Sequence, residues 1–287
     1  MEIPSLSLEG QVAIVTGARR GIGKATALVL AAAGADVAIC DLVADSGELD
    51  AVAEEARRMG RHILCCRADA GNASDVTAFV HRVLGELGTV DILVNNAGIG
   101  GGSGPPEPHL WEEREAGMAE RMAWLNENPR VTMFQEADWD AVMATNLKSI
   151  LLFSQAVSGV MAEKRRGAVV NVSSVLAYSR SAGNLSAYNV SKRGIVALTE
   201  GLAADLGRFG VRVNAIAPGG IETELMRYVW GVPERLKALE ARMLLGKKLL
   251  KPEACAHLIL FLVSDLAAHI TGQTIVIDDG LTLSMGA

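Results

Sequence analysis

The 287-residue chain has few aromatic residues and no long hydrophobic run. Phe, Trp and Tyr make up only 4% of it, although half of all residues are hydrophobic. A core must therefore be built mainly from Ala, Val, Leu and Ile. No run approaches the roughly 18 apolar residues of a membrane-spanning helix. The opening MEIPSLSLEG has neither the basic start nor the apolar stretch of a secretory signal. We therefore expect a globular, cytoplasmic protein.

The chain also lacks an excess of basic residues and any spacing typical of a metal site. Its formal net charge is −6, which argues against a nucleic-acid partner, because phosphate binding needs a basic face. The five histidines show no ligand spacing, and the four cysteines are Cys40, Cys65, Cys66 and Cys255. Cys65 and Cys66 are adjacent, so in a strand they would face opposite sides of a sheet. We expect reduced thiols and no metal.

Short apolar runs alternate along the whole chain with longer helical patterns. Continuous apolar strands, each followed by a helix, indicate a parallel sheet covered on both faces. The fold class predicted is α/β: one Rossmann-type domain over residues 1–287, with a doubly wound sheet of seven parallel strands. The predicted strands are 11–17, 36–41, 62–69, 91–98, 167–174, 211–219 and 273–280. The predicted helices are 23–33, 47–59, 75–87, 138–161, 187–206 and 251–263, and Asp138 is a candidate N-cap.

A glycine-rich loop joins the first strand to its helix. In TGARRGIG, Thr16–Gly23, the glycines Gly17, Gly21 and Gly23 allow a tight turn and a close approach of the backbone to a ligand. The helix that follows offers unpaired N–H groups and a partial positive charge, which suit a pyrophosphate. The loop therefore predicts dinucleotide binding.

Two residues bear on the choice between NAD and NADP. Asp41 ends the second predicted strand, where a carboxylate can bind the ribose hydroxyls and would repel a 2′-phosphate. Arg20 instead favours NADP, because an arginine in this loop could pair with that phosphate. Leu42 follows Asp41, so no second basic group supports NADP. The balance favours NAD.

Tyr188 and Lys192 form a candidate proton-transfer pair. They are four residues apart in a predicted helix and so share one face. A nearby ammonium favours a phenolate, which would let Tyr188 exchange a proton with a substrate hydroxyl near neutral pH. Ser174, at the carboxyl end of the fifth strand, would hydrogen-bond the reacting oxygen. Tyr178 and Ser173 are alternatives for these roles, but the fourth residue after Tyr178 is Ala182.

Four motifs in this order resemble the short-chain dehydrogenase/reductase family, in particular its 3-oxoacyl reductase and glucose dehydrogenase-like members. They are TGARRGIG, NNAG (95–98), the Ser174…Tyr188-x-x-x-Lys192 arrangement and NAIAPGGIET (214–223). The resemblance runs from about residue 8 to 282. It implies that Lys192 also holds the nicotinamide ribose and that Asn146 completes a catalytic set with Ser174, Tyr188 and Lys192, relaying protons through water.

The resemblance further implies a set of cofactor contacts. Asp69 and Ala70 would contact the adenine, and Asn96, Ala97 and Gly98 would line the adenosine ribose. Pro218, Gly219, Ile221 and Thr223 would meet the nicotinamide amide, whereas Asn95 and Asn214 would tie strands together. The full predicted cofactor set is Gly17, Arg20, Gly21, Ile22, Gly23, Asp41, Asp69, Ala70, Asn96, Ala97, Gly98, Tyr188, Lys192, Pro218, Gly219, Ile221 and Thr223.

The predicted activity is reversible hydride transfer between NAD(H) and a secondary alcohol or ketone, with a small sugar-like or cyclic substrate favoured. Alternatives are an NADPH-dependent 3-oxoacyl or ketone reductase and a non-catalytic dinucleotide-binding scaffold. Residues 222–250 form a variable substrate lid, and residues 100–137 form an insertion that is long for the family and contains a candidate helical flap. The resemblance also implies a homo-oligomer, commonly a tetramer or dimer.

Overall fold

Seven parallel strands form one sheet in the order β3-β2-β1-β4-β5-β6-β7. The computed structural model describes residues 5–100, 135–178, 187–246 and 248–286. The strands are β1 (Val12–Thr16), β2 (Asp36–Asp41), β3 (Ile63–Arg67), β4 (Ile92–Asn95), β5 (Gly167–Val172), β6 (Val211–Pro218) and β7 (Thr274–Ile277). The predicted parallel sheet of seven strands is confirmed.

Helices connect these strands on both faces of the sheet. In the described part of the chain they are α1 (Gly21–Ala32), α2 (Glu48–Arg57), α3 (Ala73–Leu87), α4 (Glu136–Met143), α5 (Ser149–Lys164), α6 (Ala187–Leu206), α7 (Arg227–Trp230), α8 (Pro233–Glu240) and α9 (Pro252–Val263). None of the described helices is long and apolar enough to cross a membrane.

Two hydrophobic cores lie on opposite faces of the sheet, as a doubly wound fold requires. Within β1, Ala13 and Val15 face the core that contains α1, α2 and α9. Val12 and Ile14 face the core of α3, α5 and α6. Every residue of β1 is therefore buried, which explains its continuous apolar run.

The cysteines of β3 follow the same alternation. The Cys65 thiol lies 3.6 Å from Asp50 of α2, whereas Cys66 lies 3.2 Å from Arg82 of α3 on the other face. The expected placement of these thiols on opposite faces is confirmed. Among the described residues no group of three or more His, Cys, Asp or Glu side chains is arranged to hold a metal.

The direction in which successive strands are added to the sheet reverses between β1 and β4. Strands β2 and β3 lie on one side of β1, and strands β5, β6 and β7 lie on the far side of β4. In open parallel sheets the crevice at such a point, outside the carboxyl ends of the strands, is where ligands bind. The glycine-rich loop after β1 and the Asn96–Gly98 segment after β4 flank this crevice. The sheet topology therefore places these two predicted motifs together.

Several predicted boundaries are wrong. The helix predicted over 138–161 begins at Glu136 with Gln135 as its N-cap rather than Asp138, and a π-helical turn, Ala144–Lys148, interrupts it. β3 and β7 are shorter than predicted, so Asp69 lies two residues beyond the end of its strand. The insertion at 100–137 and its flap remain predictions, since residues 101–134 lie outside the described residues, and the single domain is likewise untested.

Candidate active site

The glycine-rich loop packs too tightly against the end of β4 to accept side chains. A Cβ on Gly23 would lie 2.2 Å from the Gly17 carbonyl oxygen, and one on Gly17 would lie 2.8 Å from the Cα of Ala97. Asn96 holds the loop in place, because its Nδ2 donates to the carbonyl oxygens of Thr16 and Gly17, each at 2.9 Å. The loop and the NNAG motif thus form one rigid unit.

Helix α1 opens onto this unit without a cap. Its N-cap residue is Arg20, whose side chain makes no capping hydrogen bond, and its first turn contains no acidic residue. The N–H groups of the first turn of α1 are therefore left for an anionic ligand. Gly21 has a left-handed backbone (φ +57°), and a Cβ there would lie 3.2 Å from the Thr223 methyl group. Thr223 is thus adjacent to the loop, as its predicted role requires.

The carboxylate of Asp41 contacts Arg19 rather than Arg20. Nε of Arg19 lies 3.6 Å from Oδ1 of Asp41, and the Arg19 backbone N–H donates to Oδ2 at 3.4 Å. The same guanidinium also binds the carboxylate of Glu48, the first residue of α2. We did not single out Arg19 and Glu48 from the sequence, because nothing in the local pattern shows that α2 begins beside the glycine-rich loop.

The two serines after β5 point to different partners. Ser173 is buried and its hydroxyl donates to the Lys192 carbonyl oxygen at 2.8 Å, so it fastens α6 to the sheet. The Ser174 hydroxyl accepts from the Leu176 N–H at 3.2 Å and caps the short 3₁₀ turn Val175–Ala177. Of the two hydroxyls, only that of Ser173 is engaged as a donor to the helix backbone, which favours Ser174 as the residue that meets a substrate.

Lys192 is a buried cation beside Tyr188. Its Nζ lies 5.4 Å from the centre of the Tyr188 ring and donates to the Val172 carbonyl oxygen at 2.8 Å. Burial lowers the pKa of Lys192 from 10.5 to about 8, since it disfavours the charged ammonium. Tyr178, the alternative tyrosine, instead lies with its ring 5.4 Å from the guanidinium carbon of Arg193.

Asn146 occupies the π-helical turn and is fully buried. Its Oδ1 accepts from the Ile99 N–H at 2.8 Å, and its Nδ2 donates to the Ile99 carbonyl oxygen at 3.0 Å and to the Ser191 hydroxyl at 3.1 Å. Ser191 in turn donates to the Tyr188 carbonyl oxygen at 2.7 Å. Asn146 is therefore joined to the helix that carries Tyr188 and Lys192, through a serine that we did not single out from the sequence.

Gly98 lies between two of these polar groups. A Cβ on Gly98 would be 3.4 Å from Oδ1 of Asn146 and 3.6 Å from Nζ of Lys192. Both distances are ordinary van der Waals contacts, so the two polar groups lie around the same face of Gly98. The structure thus brings Asn146 and Lys192 to the same side of the NNAG segment, although they are 46 positions apart in the chain.

Four other predicted cofactor residues contact neighbouring segments of the chain. Asp69 receives the Gly71 N–H at 2.8 Å, and Ala70 is buried beside it. Gly219, after Pro218, packs against Asp278, where a Cβ would lie 2.5 Å from the Asp278 Cβ. Ile221 is buried and pairs with Leu250, which closes the base of residues 222–250.

Asn95 and Asn214 tie neighbouring segments together, as expected. Nδ2 of Asn95 donates to Asn171 of β5 at 2.9 Å. Nδ2 of Asn214 donates to the Ile270 carbonyl oxygen at 2.8 Å, and its Oδ1 receives the Gln273 N–H at 3.1 Å. Both side chains therefore have structural partners away from the crevice.

Comparison with known proteins gives one consistent family. The model of the short chain dehydrogenase family matches residues 11–231. A cyclohexanol dehydrogenase of Rhodococcus strain TK6 is 37% identical, over 98% of this chain and 99% of its own. A 3-oxoacyl-(acyl-carrier-protein) reductase of Thermotoga maritima is 35% identical, over 97% of this chain and 100% of its own.

A solved structure of similar shape is a 7α-hydroxysteroid dehydrogenase in complex with NADH and 7-oxo glycochenodeoxycholic acid. It is 30% identical, with a TM-score of 0.80 over 96% of this chain and 95% of its own. The chain belongs to the short-chain dehydrogenase/reductase family. It is an oxidoreductase of the class that acts on alcohols and ketones, and the family binds NAD(H) or NADP(H).

Proposed function

We propose that the protein transfers a hydride between NAD(H) and a small, uncharged secondary alcohol or ketone. The observation that carries this proposal is the placement of a buried ammonium, that of Lys192, 5.4 Å from the Tyr188 ring, with Asn146 and Ser174 held by neighbouring elements. Burying an ammonium is costly, and its placement beside a tyrosine is typical of a catalytic site, which favours an enzyme over a binding scaffold.

The crevice fits a nicotinamide dinucleotide. The close packing of Gly17 and Gly23 fixes the loop against the end of β4, and the uncapped start of α1 suits the pyrophosphate. Asp41 would bind the adenosine ribose, Asp69 and Ala70 the adenine, and Thr223 the nicotinamide end. The cofactor supplies the hydride chemistry when bound, and the protein supplies orientation and the proton path.

Tyr188 is the proposed acid and base of the reaction. In ketone reduction its hydroxyl gives a proton to the substrate oxygen, and in alcohol oxidation its phenolate takes one. The positive charge of Lys192 stabilises the phenolate form by attraction. Ser174 donates a hydrogen bond to the reacting oxygen and orients it, and Asn146, which lies with Lys192 on one side of Gly98, connects this pair to solvent through water.

The substrate site is proposed to lie under residues 222–250. Leu225 of this segment reaches the loop after β4, since a Cβ on Gly100 would lie 3.1 Å from its Cδ1. Trp230 is fixed by a hydrogen bond of 2.9 Å from its Nε1 to the Thr223 carbonyl oxygen. Leu225 and Trp230 are largely apolar, which supports the proposal of a small, uncharged, cyclic or sugar-like substrate.

The test is a panel of cyclic alcohols, sugars and 3-hydroxyacyl thioesters with NAD and with NADP, measured through the absorbance of the reduced nicotinamide. We expect turnover of a small cyclic or sugar-like alcohol with NAD, and a loss of about 10²–10⁴-fold in kcat for Tyr188→Phe while the Kd for NADH is kept. Full activity in that variant would overturn the assignment of Tyr188. Turnover of thioesters with NADP alone would instead favour the 3-oxoacyl reductase alternative.

A further inference from the structure

A three-residue cluster borders the adenosine side of the crevice. Arg19, in the glycine-rich loop, lies between Asp41 at the end of β2 and Glu48 at the start of α2. The side chains of Arg19 and Asp41 are only 13% and 15% exposed, whereas that of Glu48 is 52% exposed. We call these three residues the Arg19 cluster. It joins three consecutive elements that share no sequence motif.

Glu48 is held in this position by several contacts. Ser46 donates its hydroxyl to Oε2 of Glu48 at 3.2 Å, and Nη1 of Arg19 binds the same oxygen. The hydrogen bond from Arg19 lowers the pKa of the Glu48 carboxyl, and the charges of Arg19 and Arg20 act in the same direction. Glu48 is therefore a stable anion that occupies one edge of the Arg19 guanidinium.

The Nε atom of the Arg19 guanidinium faces Asp41, the residue proposed to bind the ribose. The distance is 3.6 Å, and among the described residues this buried nitrogen has no hydrogen-bond acceptor. A guanidinium beside the ribose carboxylate is the group that would meet a 2′-phosphate. Here, however, one guanidinium stands against two carboxylates, so the cluster has a formal charge of −1, and the charge of Arg20 beside it partly offsets this.

We propose that Glu48 is a second determinant of cofactor choice: by binding Arg19 it withholds the guanidinium from a 2′-phosphate and so disfavours NADP. This inference rests on the proposed nicotinamide site. Glu48 itself need not touch the cofactor, because it acts through Arg19 as a positioning residue. Asp41 alone would be opposed by the nearby Arg19, whereas Asp41 and Glu48 together exceed its charge.

The test compares the Kd values of NADH and NADPH by fluorescence titration of the purified protein. In Glu48→Ala we expect the ratio of the NADPH Kd to the NADH Kd to fall about five- to tenfold, the size of one screened charge interaction near a surface. The matched control is Glu55→Ala on the same helix, which breaks an exposed pair with Lys24 (3.7 Å) and removes the same charge. There the ratio should change less than about twofold.

A double variant separates release of Arg19 from the loss of a negative charge. In Arg19→Gln combined with Glu48→Ala, the gain in NADPH binding should disappear. The proposal is overturned if the gain persists in the double variant, if Glu48→Ala shifts the ratio no more than Glu55→Ala, or if it weakens both cofactors equally. A wild-type protein that prefers NADPH would contradict the proposed use of NAD, but the change in the ratio would still decide the role of Glu48.

Discussion

Each end of the parallel strands, the amino edge and the carboxyl edge of the sheet, has a lysine beside it, and the two lysines differ in their partners. At the amino edge, Lys164 pairs with the carboxylate of Asp91 and donates to the Thr89 hydroxyl at 2.7 Å. At the carboxyl edge, Lys192 is more deeply buried, and within the described residues no carboxylate pairs with it. Its Nζ donates a hydrogen bond to the neutral carbonyl oxygen of Val172.

This difference supports a structural role for Lys164 and the catalytic role that we propose for Lys192. Asp91 also accepts the Val12 N–H at 2.9 Å, so the amino-edge pair fastens α5 to the first strand. A cavity of about 340 Å³ opens at this edge, yet it is lined by residues such as Arg166, Arg212 and Asp265, none of which belongs to the crevice. Lys192 instead keeps its charge available for a phenolate or a ribose hydroxyl.

The largest expected effect comes from exchanging the two lysines for methionine, one at a time. Lys192→Met should reduce kcat by about 10²–10⁴-fold, because the charge that stabilises the Tyr188 phenolate is lost. Lys164→Met should leave kcat within about twofold, since its partner Asp91 is at the opposite edge. Steady-state rates with NAD and a substrate identified from the panel measure both. Equal losses of kcat in the two variants would show that both lysines affect activity only through the stability of the protein.

The next effect is a pH dependence of stability that Lys192 should confer. The unfolded lysine keeps its proton up to a pKa near 10.5, whereas the folded one releases it above about 8. The unfolded state therefore binds more protons in this window, so the free energy of unfolding should rise with pH through it, by at most about 3 kcal/mol.

Urea unfolding of the wild type and of Lys192→Met between about pH 7 and pH 10 measures this contribution as a difference. The difference is needed because burial raises the pKa of thiols such as Cys255, which lowers stability at high pH in both proteins. A wild type that gains nothing over the variant across this range would mean that Lys192 is solvated in the folded protein.

Sequence patterns predicted the sheet and the identity of most crevice residues, but not the contacts between distant segments. β1 and β5 are continuous apolar runs, and both are observed as buried strands. The π-helical turn at Asn146 was missed, since a single extra residue in a helical turn leaves the apolar periodicity almost unchanged. The sequence analysis named Arg20 and not Arg19, because the sequence does not show which way each side chain of the loop points. The direction of Arg19 depends on Glu48, the first residue of α2.

A prediction of intermediate size compares two alanine substitutions, one of Gly23 at the carboxyl edge and one of Gly210 at the amino edge. Gly23→Ala should weaken NADH binding by about 10²-fold or more, because the new Cβ would press on the Gly17 carbonyl oxygen at 2.2 Å and on Asn96, where the pyrophosphate is proposed to lie. Gly210→Ala, at the amino edge, places a Cβ 2.3 Å from the Arg165 carbonyl oxygen, in a residue with φ +75°. It should lower stability and leave the Kd for NADH unchanged. Titration and urea unfolding of both variants separate these outcomes, and loss of NADH binding by folded Gly210→Ala would contradict the contrast.

The smallest expected effect concerns the amino-edge pair itself. Lys164→Met leaves the 7%-exposed Asp91 carboxylate without its cation, while the backbone hydrogen bond from Val12 remains. Because Lys164 is one-third exposed, we expect a loss of only about 1–2 kcal/mol in the free energy of unfolding, measured in urea near neutral pH. Glu86→Ala, which breaks the exposed Arg82–Glu86 pair on α3, is the control and should cost less than about 0.5 kcal/mol. If both variants lose equally little stability, the Asp91 carboxylate is hydrated in the folded protein. The amino-edge ion pair would then not be a structural contact. The contrast between the two lysines would rest on the lowered pKa of Lys192 alone.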